Sequence, residues 1–314
     1  MARYALVTGA NAPSLGFHVA QRLAGEPHRF RVILGCRSRE RGLAAAQAIC
    51  AADKGAWVAH RSLDLASLAS VREFAAELRT ELGGGGLALL VANAGVGFGL
   101  DKTRRLTEDG FELRLGVNHL GHFLLVNLLM PELRAAPQSR VVVVSSSLHA
   151  LAVSGEAELL DLDDLQLARP GAYEVRKAYN RSKLANLLFT FELQRRLESD
   201  RCANVSACAL TPGFIPQTGL GREAGVFGVF FMQYILDGLL KRLGLVKFTR
   251  TVNEGATCVV LCSTAAAASK GGGYFELSAD GTEIVPAATS DEGRDEVKAK
   301  RLWELSEELV GLKH

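Results

Sequence analysis

With 314 residues, 48% of them apolar, the chain can bury one large α/β core or two small ones. Its formal charge is only +2 and Lys and Arg are scattered, which excludes a basic nucleic-acid-binding face. No stretch offers the ~20 uninterrupted apolar residues of a spanning helix, and six cysteines without a C-x-x-C pair read as reduced thiols of an intracellular protein.

In chain order, Tyr4–Thr8 reads as a strand, and Leu15, Val19 and Leu23 set a helical period over Leu15–Ala24. Arg31–Gly35 is a second strand, followed by a polar turn, a helix through Ala44–Ala51 and a third strand at Trp57–His60. Ala66–Leu82 carries Leu68, Val71, Phe74, Ala75 and Leu78 on one side, and Gly83–Gly86 ends it. Leu87–Ala92 and Arg140–Ser145 are nearly all apolar, as strands covered on both faces must be. A long helix over Gly116–Arg134 separates them. Leu184–Leu197 is helical, Val205–Leu210 is a buried strand, and Tyr274–Leu277 is a short strand before the polar turn Asp280-Gly281. The repeated βαβ order predicts one domain over residues 1–314: a Rossmann-type, doubly wound parallel sheet. A helical substrate lid is expected at 224–250 and a peripheral amphipathic helix at 291–312. The N-terminal residues enter a strand at once and show no basic or Arg/Ser-rich leader, so the expected compartment is the cytoplasm, or a plastid if a leader precedes them.

Several patterns carry chemistry. Gly9, Asn11, Ser14 and Gly16 lie in the turn between the first strand and first helix, where glycine lets backbone N–H groups approach a pyrophosphate at a helix N-terminus. Arg37 follows the second strand; a planar cation there suits a 2′-phosphate and hence NADP(H), although a solvated basic turn has the same composition. Asp64 either accepts from an adenine amino group or caps the next helix. Asn93-Ala94-Gly95 leaves room for a nucleotide beside the backbone. Ser145-Ser146-Ser147 closes a strand at the edge where parallel sheets bind ligands. Tyr179 and Lys183 are four apart and so share a helix face, where the cation should favour phenolate. His119 and His122, and likewise Cys258 and Cys262, have no acidic or histidine partner nearby in sequence, and no metal is expected.

Together the motifs T-G…G, Asp64, N-A-G, Asn118, serine, Y-x-x-S-K and Pro212-Gly213 resemble the short-chain dehydrogenase/reductase family over residues 4–290. The resemblance implies catalysis by Tyr179, Lys183, Ser146 and Asn118, with Ser147 an alternative to Ser146. Tyr173-Glu-Val-Arg-Lys177 is a competing frame, but its tyrosine lacks small neighbours. Cofactor contacts are implied for Thr8, Gly9, Asn11, Ser14, Leu15, Gly16, Arg37, Asp64, Leu65, Asn93, Ala94, Gly95, Tyr179, Lys183, Pro212, Gly213, Ile215 and Thr218. Substrate contacts are implied for Phe98, Leu148, Phe214, Phe227 and Phe231.

Within the family the chain is similar to retinol-dehydrogenase-like enzymes and to light-dependent protochlorophyllide reductase. It departs from the latter in carrying Phe214 where a cysteine follows Pro-Gly, and its phosphate turn is one residue longer with Ser14 in place of the middle glycine. The expected activity is NADP(H)-dependent hydride transfer on a bulky apolar carbonyl or alcohol. Light-driven protochlorophyllide reduction and a non-catalytic NADPH-binding scaffold are the alternatives. The aromatic run Val226–Leu236 suits an apolar substrate or peripheral contact with a membrane surface. Homodimers or homotetramers through the Gly116–Arg134 and Leu184–Leu197 helices are implied as well.

Overall fold

The computed structural model describes residues 2–97, 103–150, 159–215 and 249–312. Phe98, Thr218, Phe227, Phe231 and the lid up to residue 248 therefore lie outside the described residues. Eight strands form one sheet in the order β3-β2-β1-β4-β5-β6-β7-β8. They are β1 Tyr4–Thr8, β2 Arg31–Cys36, β3 Trp57–Ser62, β4 Leu89–Ala92, β5 Ser139–Val144, β6 Val205–Leu210, β7 Tyr274–Leu277 and β8 Ile284–Pro286. All neighbours are parallel except β7 and β8. The antiparallel β8 was not expected from the sequence; it is a three-residue edge strand ending in Pro286, too short to set a period.

The alternation of side chains sorts the strands into two cores. Leu6, Ile33, Leu90 and Val141 join one cluster with Phe74, Phe123 and Phe189. Val7, Val32, Leu34, Val91, Val142 and Cys208 join the other with Val19, Leu23, Ile49 and Val259. On the second side pack α1 Leu15–Ala24, α2 Arg39–Ala52 and α7 Val252–Thr264; on the first pack α3 Leu68–Leu82, α4 Gly121–Leu128 and α6 Val175–Ser199. Helix starts follow capping chemistry: Ser14, Ser38 and Ser67 each accept an N–H from the first turn of α1, α2 and α3. At α7, Thr251 and Glu254 form a reciprocal capping box.

Two expected helices differ from the structure. The long helix over Gly116–Arg134 is three pieces: a π-turn at Leu115–Leu120, then α4, then α5 Met130–Ala135. Pro131 has no N–H to continue the ladder, and Leu129 leaves helical geometry with ψ 6°. Conversely, α6 begins nine residues before the apolar run at Leu184, because its first turns are held by polar burial that periodicity does not register.

The last helix, α8 Glu296–Val310, was expected at the periphery but drives its apolar face into the first core. Trp303 stacks on Phe189 with ring centroids 5.7 Å apart, meets Phe123 edge-on at 4.9 Å and lies under the Arg196 guanidinium. Ser306 bonds buried His119 at 2.9 Å. The C-terminal helix thus covers part of the surface of α4 and α6 within the chain. Among the described residues no helix is long and apolar enough to cross a membrane.

Trp303 is 5% exposed, so truncating it should open a cavity against both phenylalanines. Trp303→Ala is expected to cost about 3–5 kcal/mol in urea unfolding, and a loss below about 1 kcal/mol would show that α8 is only loosely docked.

Candidate active site

Strand order reverses between β1 and β4, and the ends of these two strands touch. Gly9, with φ +69°, leaves no room for a side chain: a Cβ there would stand 2.9 Å from the Cα and Cβ of Ala94. A Cβ on Gly16 would stand 2.6 Å from the Asn93 amide nitrogen and 2.9 Å from the Gly9 carbonyl oxygen, so this glycine permits close packing of α1 on the strand ends. Asn93 Nδ2 donates to the Thr8 carbonyl at 2.8 Å, and the Asn93 and Ala94 N–H groups both donate to Thr8 Oγ1 at 3.0 Å.

These bonds change the reading of several residues. Thr8 is fully buried, and Leu15 and Leu65 are 9% and 6% exposed, so their side chains face the core and leave only backbone toward a ligand. The Ser14 hydroxyl donates to the Gly9 carbonyl at 3.1 Å and accepts from Phe17 N–H at 3.2 Å. Its single proton is thereby used to close the turn. Asp64 accepts from Ala66 N–H at 2.9 Å, a local turn, while Ser67 caps the helix. Arg37 stands exposed after β2, and Asn11 is half-buried in the turn.

The second half of the site converges on α6, where Tyr179, Ser182, Lys183 and Asn186 share one buried face at helical spacing. Lys183 Nζ donates to the Val144 carbonyl at the end of β5 at 2.9 Å. The same lysine lies against Gly95, where a Cβ would sit 3.6 Å from Nζ and 3.3 Å from Asn118 Oδ1. Asn118 occupies the π-turn. Its Oδ1 accepts from Val96 N–H at 2.7 Å, and its Nδ2 donates to Val96 O at 3.1 Å and to Ser182 Oγ at 2.9 Å. Ser182 in turn donates to the Tyr179 carbonyl at 2.7 Å. Ser182 stood within the Y-N-R-S-K stretch but had no role in the sequence reading; its spacing of three from Tyr179 is the signal that could have found it.

Of the three serines after β5, Ser145 donates to the Lys183 carbonyl at 2.7 Å and Ser147 is exposed. Ser146 accepts from Leu148 N–H at 3.2 Å and is hydrogen-bonded to the Tyr179 side chain. Tyr173 precedes α6, whose N-cap is Glu174, and its hydroxyl accepts from the buried Arg114 guanidinium at 3.0 Å. It does not share a helix with Lys177, so the competing frame has no i,i+4 geometry.

Electrostatics depart from the expectation that Lys183 would make Tyr179 acidic. Burial pushes the Tyr179 phenol up to about 12, with the Ser146 hydrogen bond acting in the opposite direction. Burial also brings Lys183 down to about 8. Its Nζ is 5.7 Å from the Tyr179 ring centroid and is anchored to Val144. Desolvation therefore dominates both shifts.

After β6, Phe214 pairs with Thr249 across a parallel bridge, and Arg250 N–H donates to the Phe214 carbonyl at 2.8 Å. Gly213, at φ +77°, packs on the Arg250 stem, and Ile215 is buried against Gly255 of α7. Leu148, Pro212 and Phe214 are half-buried. Cys258 and Cys262 of α7 lie in the apolar core with Cys208.

The profile of the family described as short chain dehydrogenase matches residues 3–157. Human retinol dehydrogenase 13 is 40% identical over 307 residues, covering 98% of this chain and 84% of its own. The chain belongs to the short-chain dehydrogenase family. Rice (Oryza sativa subsp. japonica) chloroplastic protochlorophyllide reductase B, at 34% identity over 331 residues, covers 98% of this chain and 77% of its own. Among solved structures, an uncharacterized protein from Mycobacterium paratuberculosis superposes with TM-score 0.69 at 33% identity, covering 98% and 93% of the two chains. An NADPH-bound carbonyl reductase from chicken fatty liver shares the fold, with TM-score 0.60 at 21% identity over 91% and 99%. Membership makes this short-chain dehydrogenase an oxidoreductase, and the Tyr179–Lys183 face of α6 its candidate catalytic centre.

Gly9→Ala places a Cβ against Ala94 in a left-handed conformation. It is expected to destabilise the protein by more than ~1 kcal/mol, read as a fall in thermal midpoint, and a neutral result would mean that the β1–β4 contact yields.

Proposed function

We propose that this short-chain dehydrogenase interconverts an alcohol and a carbonyl on a bulky apolar substrate of the retinoid kind, using NADP(H). The observation that carries the reading is the convergence of Ser146, Tyr179, Lys183 and Asn118 beside exposed Gly95, at the carboxyl edge of β4 and β5. The close packing that Gly9 and Gly16 allow at the start of α1 fits a dinucleotide there, as does exposed Arg37 after β2. Gly9 to Gly16 would hold its phosphates, Arg37 its ribose phosphate, and Lys183 with Gly95 its nicotinamide end. When bound, the cofactor supplies or accepts the hydride.

The chain's own residues manage the proton. Ser146 accepts from Leu148 N–H and is hydrogen-bonded to the Tyr179 side chain, which sets its hydroxyl beside the phenol where it can orient a substrate oxygen. Tyr179, kept as a phenol by burial, is the acid that protonates a carbonyl oxygen in the reducing direction. In the oxidising direction the phenol proton must leave first, and the Lys183 ammonium is the cation at hand to stabilise the phenolate. Half-buried Leu148, whose N–H donates to Ser146, is the apolar side chain next to the cluster and favours an apolar substrate over a sugar or a charged metabolite. The name of the 40%-identical relative, a retinol dehydrogenase, supports the retinoid class.

Purified protein should consume NADPH with retinal or a related apolar aldehyde, and Tyr179→Phe should lower kcat by ~10²–10⁴-fold. No turnover across a panel of retinoids, steroid ketones and lipid aldehydes, in dark or light, would remove the reading. Arg37→Asp should raise the KM for NADPH by ~10-fold or more, matching the ~1.5–3 kcal/mol of a charge-assisted hydrogen bond, and improve the use of NADH.

The pH profile has a definite sign. Lys183 loses its charge above about 8, while Tyr179 stays protonated to about 12. Reductive kcat/KM for NADPH, which reports the free enzyme, should therefore fall as pH rises through about 8. Lys183→Arg should move that limb upward; an unmoved limb would assign it to another group.

A further inference from the structure

His122 lies in α4, one turn after Asn118, and is 2% exposed. It belongs to none of the motifs assigned above, yet both of its ring nitrogens make short contacts. Nδ1 is 3.1 Å from the Asn118 carbonyl oxygen, and Nε2 is 2.9 Å from Thr8 Oγ1. A carbonyl oxygen can only accept, so Nδ1 must carry the proton. The Thr8 end gives the same answer independently. Thr8 Oγ1 already accepts from two backbone N–H groups, those of Asn93 and Ala94, each at 3.0 Å. A hydroxyl has two lone pairs and one hydrogen, so with both lone pairs engaged it has only its proton to offer. The nearer acceptor for that proton is His122 Nε2 at 2.9 Å; the Val91 carbonyl is at 3.3 Å. The opposite tautomer would set a bare Nδ1 against a carbonyl oxygen and bring a third donor onto Thr8.

We propose that His122, as an Nδ1–H imidazole, is a positioning residue that ties the β1–β4 turn to Asn118 and, through it, to the catalytic end of α6. The chain of bonds is continuous: Asn93 and Ala94 N–H to Thr8 Oγ1, Thr8 O–H to His122 Nε2, and His122 Nδ1–H to Asn118 O. Asn118 Nδ2 then donates to Ser182 Oγ, and Ser182 Oγ to the Tyr179 carbonyl. Asn118 sits in a π-turn, where Gly121 N–H reaches back five residues to Gly116 O, so the ordinary α-helical register does not hold it alone. Burial and the neighbouring Lys183 charge bring His122 down to about 4, which keeps the imidazole neutral with an acceptor nitrogen for Thr8. Buried His119, brought down to about 3, adds no charge beside it. The functional half of this inference rests on Tyr179 and Asn118 acting as proposed above; the tautomer does not.

Two measurements keep these parts separate. Histidine-labelled protein in two-bond proton–nitrogen correlation spectra should show one ring in the Nδ1–H form that is unchanged between mildly alkaline and mildly acidic pH. That ring is assigned by its disappearance in His122→Gln, and Thr8→Val should shift its Nε2 resonance. An Nε2–H pattern for His122, or a ring insensitive to Thr8→Val, would overturn the proposal without touching the assignment of Tyr179. In steady-state kinetics, His122→Leu should lower kcat by ~100-fold. His122→Asn, which returns an N–H near the Nδ1 position, should recover most of the loss. Thr8→Val combined with His122→Leu should be no worse than the poorer single variant, as expected of residues acting as one unit. Multiplying losses, or no recovery by His122→Asn, would reduce His122 to ordinary packing. If Tyr179→Phe leaves turnover intact while the spectra show the Nδ1–H form, the catalytic reading fails and the tautomer stands.

Discussion

A buried ammonium governs the arrangement of this site. Lys183 Nζ donates to the Val144 carbonyl at 2.9 Å, and its own carbonyl accepts from Ser145 at 2.7 Å, so both ends of this residue tie α6 to the end of β5. Taking a lysine out of water is costly, and burial brings its pKa down to about 8. A cation retained under such a penalty in a crevice is characteristic of a functional site. Once α6 is seated by Lys183, Tyr179 falls one turn earlier on the same face, beside Ser146. The distance between phenol and ammonium is thus set by the sheet as much as by the helix.

The second constraint is irregular backbone. A straight α-helix through residues 115–128 would carry Asn118 in ordinary register; the π-turn instead lets its side chain reach both Val96 backbone groups and Ser182. π-Turns of this kind recur at functional sites. Here the surrounding contacts are His122, Thr8 and the Asn93–Gly95 turn, so the floor of the proposed nucleotide crevice and the proton-transfer machinery form one bonded unit. Gly95 completes it by leaving open the approach to Lys183 and Asn118.

On the far side of α6 the chain is closed off. Trp303, Phe123 and Phe189 form an aromatic cluster, and Ser306 bonds His119 Nε2, so the outer surface of α6 is braced by the C-terminal helix. The 214–249 bridge brings the two flanks of the intervening segment together next to the Pro212-Gly213 turn.

Much of this was legible in the residue order. The apolar runs located β1, β5 and β6 to within a residue, because strands buried on both faces need continuous hydrophobicity. The Tyr179–Lys183 spacing, the glycine turn and Asn93-Ala94-Gly95 marked the site, since each depends on chemistry within one turn of chain. Other features depend on partners distant in sequence. The sequence does not reveal that the hydroxyls of Ser14 and Thr8 are engaged by Gly9, Asn93 and His122. The break before Pro131, the early start of α6 and the burial of Trp303 follow from packing that no local period encodes. Tyr179 was expected to be acidic beside its lysine; only the tertiary structure revealed how completely water is removed from both, and desolvation reversed the sign. Sequence alone determined which groups could meet, and the fold decided which of their hydrogen bonds and charges remained available for chemistry.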